Sequence, residues 1–441
     1  MKAPSRLDGY RLTLASLLLC FGVWRWAGQV LVPANTISAQ HRGVPIGNNS
    51  DLYPRWLGSR ELLLHHRDPY SAGVTGDIQK GFYGRQLDPA KASDPSDQAA
   101  FAYPIYVAFV LAPTVTLPFG VVSGVMRWLF MVCIAVSVPI WAYAIGLRVK
   151  AAWVITAMAL TLSAYASVLE FHMQNLSALV AILLASASAS LACGWLTLAG
   201  ILLAISTIKP QFSGIFVLWF LIWSAGRWRE RRRLVFAFGM TMHVLIVGGE
   251  AILPGWIKEF VVATRNYRVY TMGPTALGMF FPPLVSWIIG AVLVFAVLAL
   301  GWQRKISAGG SDDFAWMLAW SASVTVMLVP ISLYNQVLLI PSLLMLLKEQ
   351  MSGSGRSTLS RALFKAVFAC LVWQWGTAAA LGFASYVVAA ERLRSVAYLP
   401  MYTSLALPAI VLLAVASFTL NTLERRRHTE LAGLRTAKLY D

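Results

Sequence analysis

The sequence contains few charged residues and few residues that bind metals or form disulfides. Only 12% of its 441 residues are charged, whereas soluble globular domains carry roughly 25%. No HExxH, CxxC or DxD motif occurs, so the chain offers no ligand pattern for a metal. These absences argue against a soluble domain, a disulfide scaffold and a dedicated metal site. The four cysteines lie singly in apolar runs, with no disulfide or zinc spacing: Cys20, Cys133, Cys193 and Cys370.

Long apolar runs fill most of the chain, which is 58% hydrophobic with a mean hydropathy of +0.65. Runs of about 20 apolar residues have the length of a membrane-crossing helix. Lipid cannot hydrogen-bond an exposed backbone, so crossing segments of this kind must be helical. We therefore predict an all-α polytopic membrane protein with about 12 transmembrane helices. The predicted spans are 11–32, 123–147, 152–169, 174–193, 195–209, 211–226, 234–252, 277–301, 314–330, 335–347, 366–388 and 400–420.

Basic residues, which give the chain a net charge of +17, concentrate at the ends of these spans. Such clusters mark cytoplasmic loops, so twelve spans would place them all, and both chain ends, in the cytoplasm. No basic domain with interleaved aromatic residues exists outside the spans, so nucleic acid is not an expected partner. Six regions hold 21 of the 36 Lys and Arg residues: 2–11, 148–150, 227–233, 304–305, 348–365 and 425–438.

A polar loop interrupts the apolar pattern between positions 33 and 103. Seven of the 19 acidic residues lie in it, between Asp51 and Asp97. The next segment, 101–119, has span length but contains three prolines, which disfavour a continuous helix. We therefore predict that this segment is re-entrant or interfacial. The predicted organisation is one membrane domain (1–441), a first extracytoplasmic loop with short interfacial helices and the re-entrant segment (33–122), and a cytoplasmic tail (421–441).

Asp51 stands at the start of an amphipathic stretch within this loop. The spacing favours a structural role, in which Ser50 or Asp51 caps a short helix with Pro54 in its first turn. Asp51 could also pair with Arg55 one turn later. A catalytic role is the functional alternative.

Other polar residues lie at predicted outer turns. Glu170, His172, Gln174 and Asn175 share one turn, and ionisable residues near the membrane are functional candidates, although a polar turn between two spans is equally consistent. Lys209 follows an apolar stretch and precedes Pro210, so we predict a helix break there. A lysine at such a break either reaches toward lipid head groups or binds a phosphate.

Several short motifs occur in a characteristic order. They are Asp51-Leu52-Tyr53, Asp68-Pro69-Tyr70, Phe101-Ala102-Tyr103-Pro104, Gln174-x-Leu176, Lys209-Pro210 and Gly226-Arg227-Trp228-Arg229. Over roughly residues 10–350 the chain resembles the bacterial polyprenyl-phosphate-mannose-dependent α-mannosyltransferases of glycosyltransferase family 87. It departs from the family pattern in two places. Met173-Gln174-Asn175-Leu176 replaces Gly-Gln-x-Asn, and Tyr334-Asn335-Gln336 stands where many members carry a histidine.

The resemblance implies a GT-C-type bundle in the bacterial cytoplasmic membrane. It implies an enzyme that moves a sugar, mannose in this family, from a polyprenyl-phosphate donor to an extracytoplasmic hydroxyl. Asp51 would be the catalytic residue, and Lys209 would bind the donor phosphate. Arg265 and Arg268, in a later external loop, would suit the same anionic ligand, although arginines in such a loop usually face water. We place acceptor and sugar contacts on Asp68, Tyr70, Tyr103, His172, Gln174, Asn175, Tyr334, Asn335 and Gln336.

Such a donor needs little from the protein, because a polyprenyl phosphate already leaves readily. One general base for the acceptor hydroxyl would suffice, and that typically contributes roughly 10²–10⁴-fold. Direct displacement would invert the anomeric centre. No cofactor is indicated, and a divalent metal is left open although no motif supports it. The expected partners are membrane lipids, the lipid-linked donor and a glycolipid or glycan acceptor. The alternative is a transporter or flippase for lipid-linked sugars, which broken helices would fit, although no inverted repeat is visible.

Overall fold

The computed structural model describes residues 6–41, 50–88, 90–91, 94–271, 274–352 and 357–437. Within these ranges the chain is 79% helix and has no strand. An isolated bridge pairs Thr275 with Pro330. The prediction of an all-α polytopic membrane protein is therefore confirmed at the level of fold class.

Along the sequence, several short helices lie between the first long helix, which also packs in the bundle, and the later long helices. The chain begins with α1 (Arg6–Trp26), a π-helical turn (Ala27–Leu31) and α2 (Val32–His41). The loop helices are α3 (Leu52–His65), α4 (Ala72–Tyr83) and α5 (Val107–Leu111), and α5 continues into a 3₁₀ turn (Ala112–Thr114). The segment 101–119 thus forms no helix of spanning length.

The remaining helices pack as a bundle. The middle of the chain forms α6 (Phe119–Ala144), α7 (Ala151–Leu162), α8 (Tyr165–Met173), α9 (Ser177–Ala192), α10 (Leu196–Ser206), α11 (Pro210–Gly226), α12 (Trp228–Ile252), α13 (Trp256–Thr271) and α14 (Pro283–Arg304). The last third forms α15 (Asp312–Leu328), a 3₁₀ segment (Leu333–Leu339), α16 (Ile340–Met351), α17 (Thr358–Ala384), α18 (Ala390–Arg394) and α19 (Tyr402–Ala437).

Each predicted span overlaps a helix, but the helices differ in length. Among the described residues, six elements are long and apolar enough to cross a membrane. The pair α7 and α8, bent by 61°, would make a seventh. Helices α9, α10 and α11 are shorter apolar helices. A total of twelve crossings therefore stays a prediction.

Helix α15 forms the centre of the bundle. Every residue from Phe314 to Met327 is buried, as expected for a helix that is apolar on all sides. The ring of Phe314 stacks on that of Phe220 from α11, with centroids 6.1 Å apart. This buried helix packs against the 3₁₀ segment Leu333–Leu339, which carries Tyr334 and Asn335.

The two ends of α11 mark two different regions of the molecule. Arg231, just beyond its C-terminal end, donates hydrogen bonds to the carbonyls of Lys305 and Ser307. Lys348 donates to the carbonyl of Ile145 at the end of α6. Several of the predicted cytoplasmic loops thus meet at this end, which we call the basic end. Which side of the membrane it faces stays a prediction.

Candidate functional site

The loop before α3 is tied to the turn after α8. The Asp51 backbone N–H donates to the Met173 carbonyl at 2.6 Å, and the Ser50 hydroxyl donates to Gln174 Oε1 at 2.8 Å. The Ser50 hydroxyl also accepts the Leu52 N–H. These bonds fix the position of Asp51 next to a turn that is distant in sequence.

Asp51 occupies the residue before α3 without capping it through its side chain. Its backbone is helical (φ −60°, ψ −17°) and its carboxylate accepts no N–H from the helix. Arg55 donates to the Asp51 backbone carbonyl at 2.5 Å rather than to its carboxylate. The cap and ion-pair interpretations of Asp51 are therefore wrong, whereas Ser50, the other predicted cap, does accept the Leu52 N–H at the start of α3.

Asn175 links the Asp51 carboxylate to a buried ammonium group. Its amide nitrogen donates to Asp51 Oδ2 at 2.8 Å and lies 3.2 Å from the Tyr334 hydroxyl. Its amide oxygen accepts from Lys209 Nζ at 2.8 Å. An amide offers donors at one end and acceptors at the other, so it joins a carboxylate and an ammonium in one favourable chain.

Lys209 lies at the break between α10 and α11, as the sequence predicted, with Pro210 as the first residue of α11. The side chain is only 4% exposed. Its ammonium donates to Asn175 Oδ1, to Asn335 Oδ1 at 3.0 Å and to the Ser177 hydroxyl. An ammonium has three donors, so this arrangement uses all of them.

Gln174 holds the turn that presents Asn175. Its backbone is left-handed (φ 53°) at the end of α8. Its amide nitrogen donates to the Ser123 carbonyl at 2.8 Å, and its amide oxygen accepts from the Ser50 and Ser123 hydroxyls. The side chain thus connects α6, α8 and the start of α3, which is a positioning role.

Glu170 is a second carboxylate beneath this network. It is fully buried, and Lys209 and Asp51 are its charged neighbours. The backbone N–H groups of Asn175 and Ala178 also lie close to it. Within the described chain, neither carboxylate oxygen makes a hydrogen bond of standard geometry. Lys209 thus lies near both carboxyl groups, those of Glu170 and Asp51.

Tyr103 lies beside Asp51, supported from the loop helices. The Arg55 guanidinium is 4.7 Å from the centre of its ring. The Tyr70 hydroxyl donates to the Tyr103 carbonyl at 2.6 Å, and Asp68 accepts the Tyr70 N–H at 2.8 Å. Asp68 and Tyr70 therefore support Tyr103 from behind.

A model of glycosyltransferase family 87 matches residues 101–335, which is more than half of the chain. The chain belongs to glycosyltransferase family 87. This confirms the resemblance and makes the protein a membrane glycosyltransferase rather than a transporter. No curated protein and no solved structure matches it. The matched region of this glycosyltransferase contains Asn175, Lys209, Tyr334 and Asn335, whereas Asp51 precedes it.

Two further residues of the glycosyltransferase, Tyr267 and Asp97, lie near Asp51. Burial raises the pKa of Tyr267, on α13, to about 12, and Asp51 is among the charges that contribute. Burial also raises the pKa of the Asp97 carboxyl, the Asp51 charge adds to the effect, and the Ala99 N–H opposes it. In the sequence, Asp97 resembles the other aspartates of this turn-rich loop, and no local signal marks it as a neighbour of Asp51. Ser177, two residues after Asn175, was likewise missed.

The remaining predicted residues lie outside the network. His172 packs against Phe171, with ring centroids 5.3 Å apart. Gln336 donates to the Ser404 carbonyl at 2.7 Å. Arg265 and Arg268 lie exposed on α13. Their ligand-binding roles stay predictions.

No group of three or more His, Cys, Asp or Glu side chains that could hold a metal ion is found in the part of the chain that the structure describes. The polar network consists of hydrogen bonds between side chains, with the Asp51 carboxylate at one end and the Lys209 ammonium at the other.

Proposed function

We propose that this glycosyltransferase moves mannose from a polyprenyl-phosphate donor to a hydroxyl group of an extracytoplasmic glycolipid or glycan, with Asp51 as general base. The observation that carries the proposal is the chain Asp51–Asn175–Lys209, in which one amide connects the carboxylate and the ammonium. In this proposal the site faces the outside of the bacterial cytoplasmic membrane, opposite the basic end.

The environment of Asp51 supports its role as base. The carboxylate is half-buried. In the described chain it accepts one hydrogen bond, from Asn175, and forms no ion pair. One carboxylate oxygen is thus left to receive a proton from an acceptor hydroxyl, a geometry that general base catalysis requires.

The proposed reaction is a single displacement. The acceptor oxygen forms a bond to the anomeric carbon while the bond between that carbon and the phosphate oxygen breaks. The hydroxyl proton passes to Asp51, and the bonding electrons leave with the phosphate. Attack opposite the leaving group inverts the anomeric centre, and no second carboxylate is needed to protonate the leaving group, in contrast to glycoside hydrolysis.

Lys209 contributes through its charge in this proposal. It orients Asn175, keeps a positive charge near the ionised Asp51 and lowers the energy of the developing phosphate charge. Direct contact with the phosphate would require Lys209 to release one of its three acceptors. We therefore assign direct phosphate contact to Arg265 and Arg268, and sugar contact to Tyr103, Tyr267 and Tyr334.

The test is Asp51→Asn in the purified full-length protein, supplied with radiolabelled polyprenyl-phosphate mannose and membrane lipid acceptors. Asparagine keeps an oxygen that can accept the Asn175 N–H, so the fold should persist. Loss of the base should lower transfer by roughly 10²–10⁴-fold. Asp88→Asn is the matched control, because Asp88 lies in the same loop and its acceptor contact with the Ala90 N–H survives the change.

Undiminished transfer by a folded Asp51→Asn protein would remove Asp51 as the base. A second arm replaces the donor by polyprenyl phosphates that carry other sugars. Equal use of those donors would overturn the assignment of mannose while leaving glycosyl transfer in place.

A further inference from the structure

Arg127 is an arginine inside an apolar helix. It lies on α6, one of the helices long and apolar enough to cross a membrane, and eight residues after its start, a rise of about 12 Å. In the described chain its guanidinium forms neither a hydrogen bond nor an ion pair, and its Nε is buried without a partner. A charged residue at such a position is costly unless something outside the helix pairs with it.

His172, on α8, has Arg127 as its charged neighbour. Its Nε2 is likewise buried without a hydrogen-bond partner among the described residues. The Arg127 guanidinium lies 5.1 Å from the centre of the Phe171 ring, next to His172. Two nitrogen groups that can donate hydrogen bonds therefore lie in one neighbourhood, and the described residues supply no acceptor for Arg127 Nε or His172 Nε2.

Aromatic rings lie next to Arg127 and His172, and some of them are exposed on the side of the bundle. Phe171 packs edge-on against Trp24 of α1 at 4.8 Å and against Trp128 of α6 at 5.4 Å. Trp128 is 66% exposed, and Val125 and Val132 on the same helix are exposed too. This face of α6 is apolar and would meet lipid chains. Tryptophan is typical of the depth at which lipid head groups begin.

We propose that Arg127 and His172 bind the phosphate group of an anionic membrane lipid that enters from the side of the bundle. The phosphate supplies the acceptor oxygens that both side chains lack, and a guanidinium matches phosphate geometry closely. The lipid chains lie along Trp24, Trp128 and the exposed valines of α6. We call this the lateral lipid site.

The lateral lipid site borders the candidate active site but does not include it. Ser123 lies one helical turn before Arg127 and binds both ends of the Gln174 amide. Gln174 precedes Asn175, which contacts Asp51. The proposal does not rest on the proposed glycosyl transfer, because a lipid bound at Arg127 would stabilise the turn at Gln174 whichever reaction the protein catalyses.

The contact with Phe171 alone does not account for Arg127. A ring face attracts the charge of a guanidinium, but it accepts none of its five N–H donors. The alternative occupant is free phosphate, which has the same oxygens and lacks the chains. The experiment separates the two sources.

The experiment is native mass spectrometry of the full-length protein in detergent with added phosphatidylglycerol or phosphatidylcholine. We expect one phosphatidylglycerol molecule to be retained in preference to phosphatidylcholine. Arg127→Gln should weaken that retention about tenfold, the value of a hydrogen bond to a charged group, and Arg127→Lys should weaken it less. The control is Arg148→Gln, which removes an exposed arginine beyond the other end of α6.

Unchanged phosphatidylglycerol retention in Arg127→Gln would overturn the proposal, as would an equal loss in Arg148→Gln. Displacement of the lipid by inorganic phosphate alone would overturn the lipid assignment in favour of a free anion. If Arg127→Gln fails to fold, His172→Phe removes the second nitrogen and keeps the ring. Retention equal to that of the unsubstituted protein in His172→Phe would overturn the shared site. Failure of the Asp51→Asn test would leave these measurements unaffected.

Discussion

Two buried cations, Lys209 and Arg231, lie at opposite ends of α11 and satisfy their donors in different ways. Lys209 donates to side-chain oxygens, those of Asn175, Ser177 and Asn335. Arg231 donates to backbone carbonyls, and its guanidinium lies 3.6 Å from the centre of a tryptophan ring. Both cations lose hydration when they are buried, which costs free energy. Side chains that can rotate compensate this cost for Lys209, and backbone carbonyls that cannot rotate compensate it for Arg231.

This difference indicates that the Lys209 network belongs to a functional site, whereas the Arg231 contacts are structural. The acceptors of Arg231 are the carbonyls of Trp223, Lys305 and Ser307, at 2.6–2.7 Å, so the arginine joins the end of α11 to the loop after α14. Backbone groups cannot leave without moving these loops. Side-chain amides and hydroxyls can rotate toward a substrate, so the Lys209 network can rearrange during a reaction.

The largest expected effect comes from removing the Lys209 charge. Lys209→Met should lower sugar transfer by about 10²–10³-fold, the range for loss of one group that stabilises developing charge. Its melting temperature should also fall, because the Asn175 and Asn335 oxygens lose a charged donor, so transfer is expressed per folded molecule. Initial transfer rates and thermal unfolding of the same preparation measure both. Lys258→Met, at an exposed position on α13, is the control. Normal transfer by Lys209→Met would show that the Lys209 charge is not needed for the reaction.

Arg231→Met should lower stability without lowering transfer. Three carbonyls lose a charged donor, and hydrogen bonds to charged groups contribute about 1.5–3 kcal/mol each before compensation. We expect a net loss of roughly 3 kcal/mol in the free energy of unfolding, read from tryptophan fluorescence on heating. Transfer per folded molecule should stay normal. The control is Arg233→Met at an exposed neighbouring position. A folded but inactive Arg231→Met protein would show that Arg231 is not purely structural.

A smaller effect should separate two members of the Lys209 network. Asn175→Ala breaks the link between Asp51 and Lys209, so kcat/KM should fall by about ten- to thirtyfold. Asn335→Ala removes one Lys209 acceptor and leaves the Asp51 contact, so the loss should be only about threefold. Steady-state kinetics on the two variants test the order. An equal or larger loss in Asn335→Ala would show that bridging by Asn175 is unimportant.

The smallest effect concerns the pH dependence of stability at Asp97. Burial raises the pKa of this carboxyl, so the folded state holds its proton more firmly than the unfolded state. Stability is fully present below the unfolded pKa near 4 and declines as pH rises through the folded pKa. Asp97→Asn lacks this decline and still accepts the Ala99 N–H through its oxygen. Its melting temperature should therefore rise relative to the unsubstituted protein between pH 4 and pH 7, and parallel profiles would contradict this account.

Local signals in the sequence were sufficient for the class of fold and for several positions of interest. Apolar length predicted the helices, and Pro210 after an apolar run predicted the break at Lys209, because both depend on neighbours along the chain. The polar turns at Asn175 and Tyr334 were likewise visible as exceptions in an apolar pattern. The number of crossings was not fixed, since short helices such as α9 and α10 carry the same composition as long ones.

The sequence by itself determined an all-helical membrane protein, the order of its helices and the residues at which that order breaks. Only the tertiary structure decided that Asp51 faces Asn175, 124 positions away, rather than the helix it precedes. Only packing brought Asp97 and Tyr267 near this pair and turned Gln336 away from it. The physical reason is that a helix depends on bonds between near neighbours, whereas a site depends on which turns the buried α15 and its surrounding helices hold together.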